Sequence, residues 1–457
     1  MKYLNAKKHI FFIAIGGIGM SAIALVLLKK GFKISGSDIK PNSLTEKLAE
    51  SGAGIYFSHK AGNLKPDVDL VIYSSCINNA NPEMLEAKSR GIKTVSRGTM
   101  LAELVAEKKG IAVCGCHGKT TTSGMIATLL REAGLDPTAL IGGEVNYFGS
   151  NACFGRGDYL VTEADESDGS FLKLKPFYSV LTNIDEDHMD YFKDKSTLVR
   201  RFAQYVSNIK KGGSLIYSCD DPRLVLLKKY SCADNISYGF TGSACVRAKN
   251  ITAKGYDSSF DCYYKKDFMG RFKIRVPGGH NVSNALAAVC VGVKLGLGAA
   301  EIKSGLLSFT GTKRRFQVHG CFSGVTVVED YAHHPAEIAA TLKAARHFKP
   351  KRVIGVFQPH RFTRTLYLAD RFAGCFNLSN YLILTDIYSA SENAIKGITG
   401  RVLYDKVKKF GHKHAVYIEK NRIADHICRI KKPGDMVIVL GAGDINEIAQ
   451  ELARKIR

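Results

Sequence analysis

The chain has 457 residues, 45% of them hydrophobic and only 11 of them Pro, which excludes a disordered or fibrous protein and calls for two to four domains. No apolar run approaches the roughly 18 residues of a membrane helix, and "HIFFIAIGGIGM" near the start lacks a cleavage site, so the expected location is cytosolic. The 65 Lys and Arg outnumber the 42 Asp and Glu, giving +23, but the excess is spread along the chain rather than gathered into the basic, aromatic stripe of a nucleic-acid binder. That charge favours anionic substrates. The 12 Cys are scattered without a C-x-x-C pair, which argues against a zinc or dithiol site and for mostly buried thiols in a reducing compartment.

Apolar strands alternate with helical patterns almost throughout, the signature of parallel α/β sheets. "HIFFIAIG" leads to a helix at Ile18–Lys30, then come "FKISGSD", a helix near Ser43–Ser51 and the strand "DLVIYSS". Gly17-x-Gly19-x-x-Ala22 follows a strand and opens a helix, and Asp38 ends the next strand. Alone, that pattern fits a dinucleotide fold and leaves a nicotinamide oxidoreductase open. A fresh strand at "GIAVCG" after "LAELVAEKKG" marks a boundary near residue 108.

Gly115-Cys116-His117-Gly118-Lys119-Thr120-Thr121-Thr122 follows that strand and opens a helix. It is a shortened phosphate loop, because the position five residues before Gly118 is Val113 and not glycine. Glycines let several N–H groups converge on phosphate oxygens, and the helix N-terminus adds partial positive charge. Lys119 is placed to neutralise β- and γ-phosphate charge and Thr120 to bind Mg²⁺. In "DYLVTEADESD", Glu163 stands just after a strand where a carboxylate reaches such a metal, with Asp165, Glu166 and Asp168 in the same turn. "YSVLTNIDEDHMD" supplies Asp185, Asp187, His188 and Asp190 at another strand end, and an imidazole beside carboxylates suits a divalent ion.

A Gly-rich, less regular tract is expected through about residue 275. "GGHNVSNALAAVCVGVKLGL" then reads as a helix entered through polar residues. After "FTGTKRRFQV" the alternation restarts with "GVTVVEDYAHHP", "RVIGVFQPHR", "YLILTDIYSASE" and "DMVIVLGAGD". Each strand runs directly into polar or Gly residues, where ligands of open parallel sheets gather.

G-x-x-G-K-T-T-T, E-A-D-E-S-D, N-I-D-E-D-H-M-D, G-x-H-N-x-x-N, R-R-F-Q and D-Y-A-H-H-P, in this order, resemble the Mur ligases of bacterial cell-wall synthesis. "IGGIGMSAIA", "VFQPHRFTRT" and "GAGDI" extend the resemblance along the whole chain. It implies an α/β protein of three domains, in which two Rossmann-like parallel-sheet domains flank a central P-loop ATPase-like domain. They are a UDP-substrate domain over 1–108, an ATP-binding domain over 109–314 and an amino-acid-binding domain over 315–457. The implied reaction uses ATP and Mg²⁺, with Mn²⁺ as an alternative, to join L-alanine to the carboxylate of UDP-N-acetylmuramate through an acyl phosphate. All partners are then small molecules, with no nucleic acid and no membrane insertion; a homodimer is compatible with the resemblance.

Matched motif by motif, the resemblance places ATP on Gly115, Cys116, His117, Gly118, Lys119, Thr120 and Thr121. It puts the adenine side on His280, Asn281 and Asn284, with Arg315 and Asp330 reaching the phosphates and ribose. Thr120, Glu163 and His188 become metal ligands, and Gly17, Gly19, Met20, Ser21 and Asp38 take the UDP substrate. Tyr331, His333, His360, Arg361 and Arg364 receive the amino acid, Arg361 and Arg364 as a guanidinium pair for its carboxylate and His333 as candidate base. Lys119, Glu163, His188, Arg315 and His333 are the expected catalytic set. Cys116 stands where the family usually has Thr, and Gly279 where a larger residue is common. The rivals are a ligase recycling murein tripeptide onto the same sugar, a nucleic-acid-dependent ATPase and the nicotinamide enzyme; "ESDGSFLKLKP" favours the alanine-adding type over the first.

Overall fold

The computed structural model describes Tyr3, Leu4 and residues 8–456, apart from the side chain of Asp190. Three sheets follow one another along the chain. The first is entirely parallel, in the spatial order Gly54–Tyr56, Lys33–Ser37, His9–Ile13, Val68–Tyr73 and Lys93–Ser96. Its central strand, HIFFI, is buried at every position, as expected of a strand covered by helices on both faces.

The second sheet has ten strands. At its heart lie Tyr178–Leu181, Lys109–Cys114 and Tyr159–Ala164, all parallel. Cys114 pairs with Leu181 and also with Ala164, while Val113 pairs with Glu163. The phosphate loop and the run Thr182–His188 therefore leave the sheet at one edge, where Glu163, the penultimate residue of its strand rather than one just after it, still pairs with Val113; that shared edge gathers their side chains.

The tract before residue 275 is far more regular than its composition indicates. A helix at Lys195–Ser207 is followed by parallel strands Ser214–Ser218, Asp234–Gly239 and Val246–Lys254, and then by antiparallel Asp257–Tyr264 and Asp267–Ile274. In "DSSFDCYY" only Ser258, Phe260 and Cys262 are fully buried. One face meets the core and the other meets water, so the strand alternates and lacks the continuous apolar run of its neighbours. The thiols also differ from expectation. All twelve Cys are free, but only Cys114, Cys116, Cys262 and Cys290 are buried.

The third sheet runs Gln317–Phe322, Val325–Asp330, Asp435–Leu440, Arg352–Phe357, Tyr381–Leu384 and Ala415–Tyr417, parallel except for its first strand. Leu440 pairs with both Asp330 and Phe357, so Tyr331, Gln358 and Gly441 emerge at the same end. Apolar side chains fill both faces, with Val328, Phe357 and Phe372 on one and Val327, Ile354 and Ile448 on the other. A separate core runs without interruption from Ile10, Phe12 and Leu27 of the first sheet to Ala112, Leu160 and Phe202 of the second. Among the described residues no helix is long and apolar enough to cross a membrane.

Candidate active site

The loop after Cys114 depends on glycine twice. Gly115 has φ +134°, and a Cβ there would lie 2.2 Å from Thr182 Oγ1; Gly118 has φ +82°, and its Cβ would lie 2.6 Å from Asn284 Oδ1. Between them His117 is held by its backbone, since its N–H donates to Asn183 Oδ1 (2.9 Å) and its carbonyl accepts from Asn183 Nδ2 (3.0 Å) and Thr182 Oγ1 (2.7 Å). Cys116 Sγ donates to the Asp185 carbonyl (3.2 Å) and accepts from the Asp185 N–H (3.1 Å). The thiol thus braces the loop from behind, a job that a smaller hydroxyl would do with shorter bonds. Helix Lys119–Glu132 begins at once and directs its first N–H groups into the loop.

Lys119 Nζ lies 2.8 Å from each oxygen of Glu166, which is 1% exposed, and 2.7 Å from the Gly115 carbonyl. Burial opposes the charge of Lys119, but Glu166 and Asp165 raise its affinity for the proton well above that of a free lysine. Among the described residues Glu163 has no cation in ion-pair contact, and Lys119 and Arg315 act on it only from a distance. It accepts from the Gly142 N–H (2.6 Å), Thr120 Oγ1 (3.2 Å) and Ser123 Oγ (3.4 Å), and burial pushes its pKa up. A half-buried carboxylate beside a hydroxyl, hydrogen-bonded to neutral donors among the described residues, fits a divalent cation.

His188 sits in the left-handed region at φ +55°, with its Nε2 3.6 Å from Asp187 Oδ2. Asp187 Oδ1 accepts from Arg364 Nε at 3.0 Å in a pair that is 6% exposed on both sides. Burial alone would raise the Asp187 pKa, yet Arg364, His188 and His333 hold it far below the usual carboxylate range. Asp185 is held low likewise: burial opposes, but His117 at 3.2 Å and Arg371 at 2.9 Å prevail. Asp165 and Asp168 both accept from Arg97 of the first sheet's last helix, at 3.3 and 3.2 Å.

Two clefts flank the loop. One, of about 500 Å³, is lined by His117, Gly118, Thr121, Asn183, His280, Asn281, Asn284, Arg315 and Asp330. Asn281 Nδ2 donates to the Pro277 carbonyl (2.7 Å) and Asn284 Nδ2 to Asn281 Oδ1 (3.1 Å), so the two amides are locked in one orientation. Asp330 accepts from the N–H groups of Phe316 (2.9 Å) and Ala332 (2.8 Å); burial raises its pKa to about 6. The other, of about 710 Å³, is lined by Gly17, Gly19, Met20, Cys116, Lys119, Thr120, Glu163, His188, Tyr331, His333, His360, Arg361 and Arg364. Gly118, Arg315 and Glu337 line both.

Three of the expected contact residues line neither cleft. Gly115 opens the loop and turns its carbonyl to Lys119 Nζ. Ser21 is buried, donating to the Ile18 carbonyl (3.1 Å) and accepting from Asn151 Nδ2 (3.0 Å) of the second sheet's edge. Asp38 accepts from the N–H groups of Gly16 (2.8 Å) and Ile39 (2.7 Å), so it shapes the glycine turn. Arg364 is engaged by Asp187 and by His360 Nδ1 at 3.1 Å. The side chain of Asp190 lies outside the described residues.

His333 Nδ1 faces the Tyr331 carbonyl at 3.0 Å. A carbonyl only accepts, so Nδ1 carries the hydrogen and Nε2 keeps its lone pair. Burial lowers the pKa of His333 to about 3 and that of His360 to about 3, leaving both rings neutral. Sequence inspection did not single out Asn183, Arg97, Glu337 or Arg371. Glu337 had a local signal, standing three residues after the cap residue His334 at the start of helix Pro335–Ala345. The others become visible only through partners far along the chain.

Comparison with known proteins accounts for nearly the whole length. The Mur ligase family catalytic domain matches residues 9–109, the Mur ligase middle domain 113–292 and the Mur ligase glutamate ligase domain 314–443. A UDP-N-acetylmuramate–L-alanine ligase of Pelotomaculum thermopropionicum is 42% identical over 99% of each chain, and one of Geotalea uraniireducens 44% identical over 98% of each. The crystal structure of the UDP-N-acetylmuramate-alanine ligase of Thermotoga maritima covers 98% of both chains, with TM-score 0.84 and 27% identity. With the three family domains matched in order and the paired clefts in place around a phosphate loop, the chain belongs to the Mur ligase family.

Proposed function

We propose that the chain joins L-alanine to UDP-N-acetylmuramate at the expense of ATP, in peptidoglycan precursor synthesis. The observation that carries this is the meeting of two clefts at a single wall, Gly118, Arg315 and Glu337, beside Lys119. Relatives at 42 and 44% identity bear that activity in their names. The domains are assigned as 1–108 for the UDP substrate, 109–314 for ATP and 315–457 for the amino acid.

In this assignment ATP lies in the cleft of His280, Asn281 and Asn284, with its phosphates on the loop N–H groups and Arg315. UDP-N-acetylmuramate enters along Gly17, Gly19 and Met20, which brings its carboxylate to Lys119. A carboxylate cannot acylate an amine because its leaving group would be oxide; phosphorylation replaces oxide by phosphate. Two anions must first be held together against repulsion of roughly 4 kcal/mol at about 4 Å and an effective dielectric near 20. Lys119 and Arg315 supply that cancellation from this chain, prearranged at the point of transfer. Thr120, Glu163 and His188 would hold Mg²⁺, which supplies further charge neutralisation between phosphate and acid when bound.

Alanine then occupies the pocket of Tyr331, His360 and Arg361, its carboxylate on Arg361. Arg364, tied to Asp187, fixes the His360 ring and the local positive field. Alanine attacks as the free amine, its ammonium proton first released to solvent, and His333 Nε2 takes the proton that the nitrogen sheds once the C–N bond has formed. So weak a base passes the proton on, and the departing phosphate is the stronger base beside it. The test is phosphate release with UDP-N-acetylmuramate and either L-alanine or murein tripeptide. Alanine-dependent release with transfer of ¹⁸O from the sugar acid into phosphate is expected; release driven by tripeptide alone would overturn the assignment.

A further inference from the structure

We propose that Glu337 and His117 form a positioning pair that transmits occupancy of the ATP cleft to the amino-acid pocket; this rests on the ligase assignment above. Glu337 lies in the first turn of helix Pro335–Ala345 and His117 in the phosphate loop, 220 positions apart in the chain. His117 Nδ1 stands 3.2 Å from Glu337 Oε1. The other carboxylate oxygen accepts the N–H groups of His333 (3.1 Å) and His334 (3.3 Å). One carboxylate therefore touches the nucleotide loop with one oxygen and the backbone of the candidate base with the other.

The ring of His117 is fixed from its far side as well. Its Nε2 lies 3.2 Å from Asp185 Oδ2, and Arg371 holds Asp185 at 2.9 and 3.2 Å. Both ring nitrogens face carboxylate oxygens, which only accept, so both donate and the ring is an imidazolium. Because Asn183 grips both backbone groups of His117, a shift of the loop on phosphate binding moves the imidazolium with it. Glu337, and with it the His333 N–H, is drawn along. His117, Asp185 and His334 also bring potential ligand atoms within 4.8 Å of one another, the spacing of a metal site. An ion is disfavoured there because Arg371 already neutralises Asp185 and His334 Nδ1 accepts the Ala336 N–H at 3.3 Å.

The groups facing His117 are Asp185 with Arg371 behind it, Glu337 with Arg315 and His333 around it, Asp187, and the neutral His334 ring at 4.5 Å. Burial works against the His117 charge, but Asp185 and Glu337 raise its pKa to about 9.

Steady-state kinetics of the full chain with ATP, UDP-N-acetylmuramate and L-alanine would compare Glu337→Gln, His117→Gln and the double variant. Gln at 337 keeps an oxygen for the His333 and His334 N–H groups and removes only the charge. Each single change is expected to raise KM for alanine and for ATP about tenfold with a smaller fall in kcat, and the double variant to be no worse than the worse single. In the native chain KM for ATP should rise as pH passes about 9, where His117 loses its proton, and Glu337→Gln should bring that break about one unit lower. ATP itself has no group titrating there. Multiplicative losses in the double variant, or an unmoved break, would overturn the pair; if a variant fails to fold, absence of the native break does so alone. Failure of the ligase assignment is distinguishable, because the native chain would then release no phosphate in response to alanine.

Discussion

Gly118→Ala isolates the geometry of the phosphate loop from its charge. At φ +82° an L side chain costs about 1–2 kcal/mol. The added Cβ would stand 2.6 Å from Asn284 Oδ1, so Asn284 must move and give up its 3.1 Å bond to Asn281, a loss of about 1 kcal/mol. The free loop can relax away from this strain, whereas the proposed nucleotide site requires both the loop N–H groups and Asn284 in place. The cost therefore falls on binding, and about 2–3 kcal/mol corresponds to a rise in KM for ATP of roughly 30- to 150-fold. Steady-state ATP titration at saturating UDP-N-acetylmuramate and alanine measures it, with calorimetric binding of UDP-N-acetylmuramate as the control expected to stay unchanged. A KM for ATP within about threefold of native in a folded variant would refute the argument from loop conformation.

Lys119→Ala should lower kcat by at least about a thousandfold while sparing UDP-N-acetylmuramate binding, and should also lower the melting temperature because Glu166 is left buried without its cation. Glu163→Gln should abolish the response of phosphate release to added Mg²⁺; a normal metal titration would remove Glu163 from the site. Arg361→Ala should raise KM for alanine and leave KM for ATP near native, and an unchanged alanine response would refute its role. Asp187→Asn breaks the buried pair with Arg364 and should cost about 3–5 kcal/mol in urea unfolding. The folded pKa values of Asp185 and Asp187 are depressed, so their stabilisation is full above the unfolded value of about 4 and declines as pH falls through and below it. The His117 pKa is raised, so its contribution is full below about 6.5 and is lost as pH rises through about 9. Urea midpoints between pH 3 and 10 should trace both flanks, and a midpoint independent of pH would contradict them.

Much of the site was legible because a parallel sheet delivers its polar residues just after its strands. Lys119, Glu163 and His188 each follow an apolar run, so reading strand ends was enough to collect them. The strand Asp257–Tyr264 was harder, because half of its residues face water and its alternation resembles a loop. Asp38 and Ser21 showed the limit of motif matching. Their side chains satisfy backbone or neighbouring polar groups, a choice decided by atoms that come from other segments. The links from Arg364 to Asp187 and from Arg371 to Asp185 span 177 and 186 positions, and no local pattern announces them. Likewise, the charge on His117 comes from carboxylates on two different elements, so no stretch of sequence contains its cause.

The thin partition between the two clefts has a pharmacological corollary. In the proposed assignment nucleotide and sugar acid reach the reacting atoms from the two different clefts, so a compound filling the smaller one should compete with ATP alone and leave the sugar's access open. A molecule crossing the partition beside Gly118 would block both entrances at once, and its potency would depend on displacing Arg315 from Glu337, 3.9 Å away.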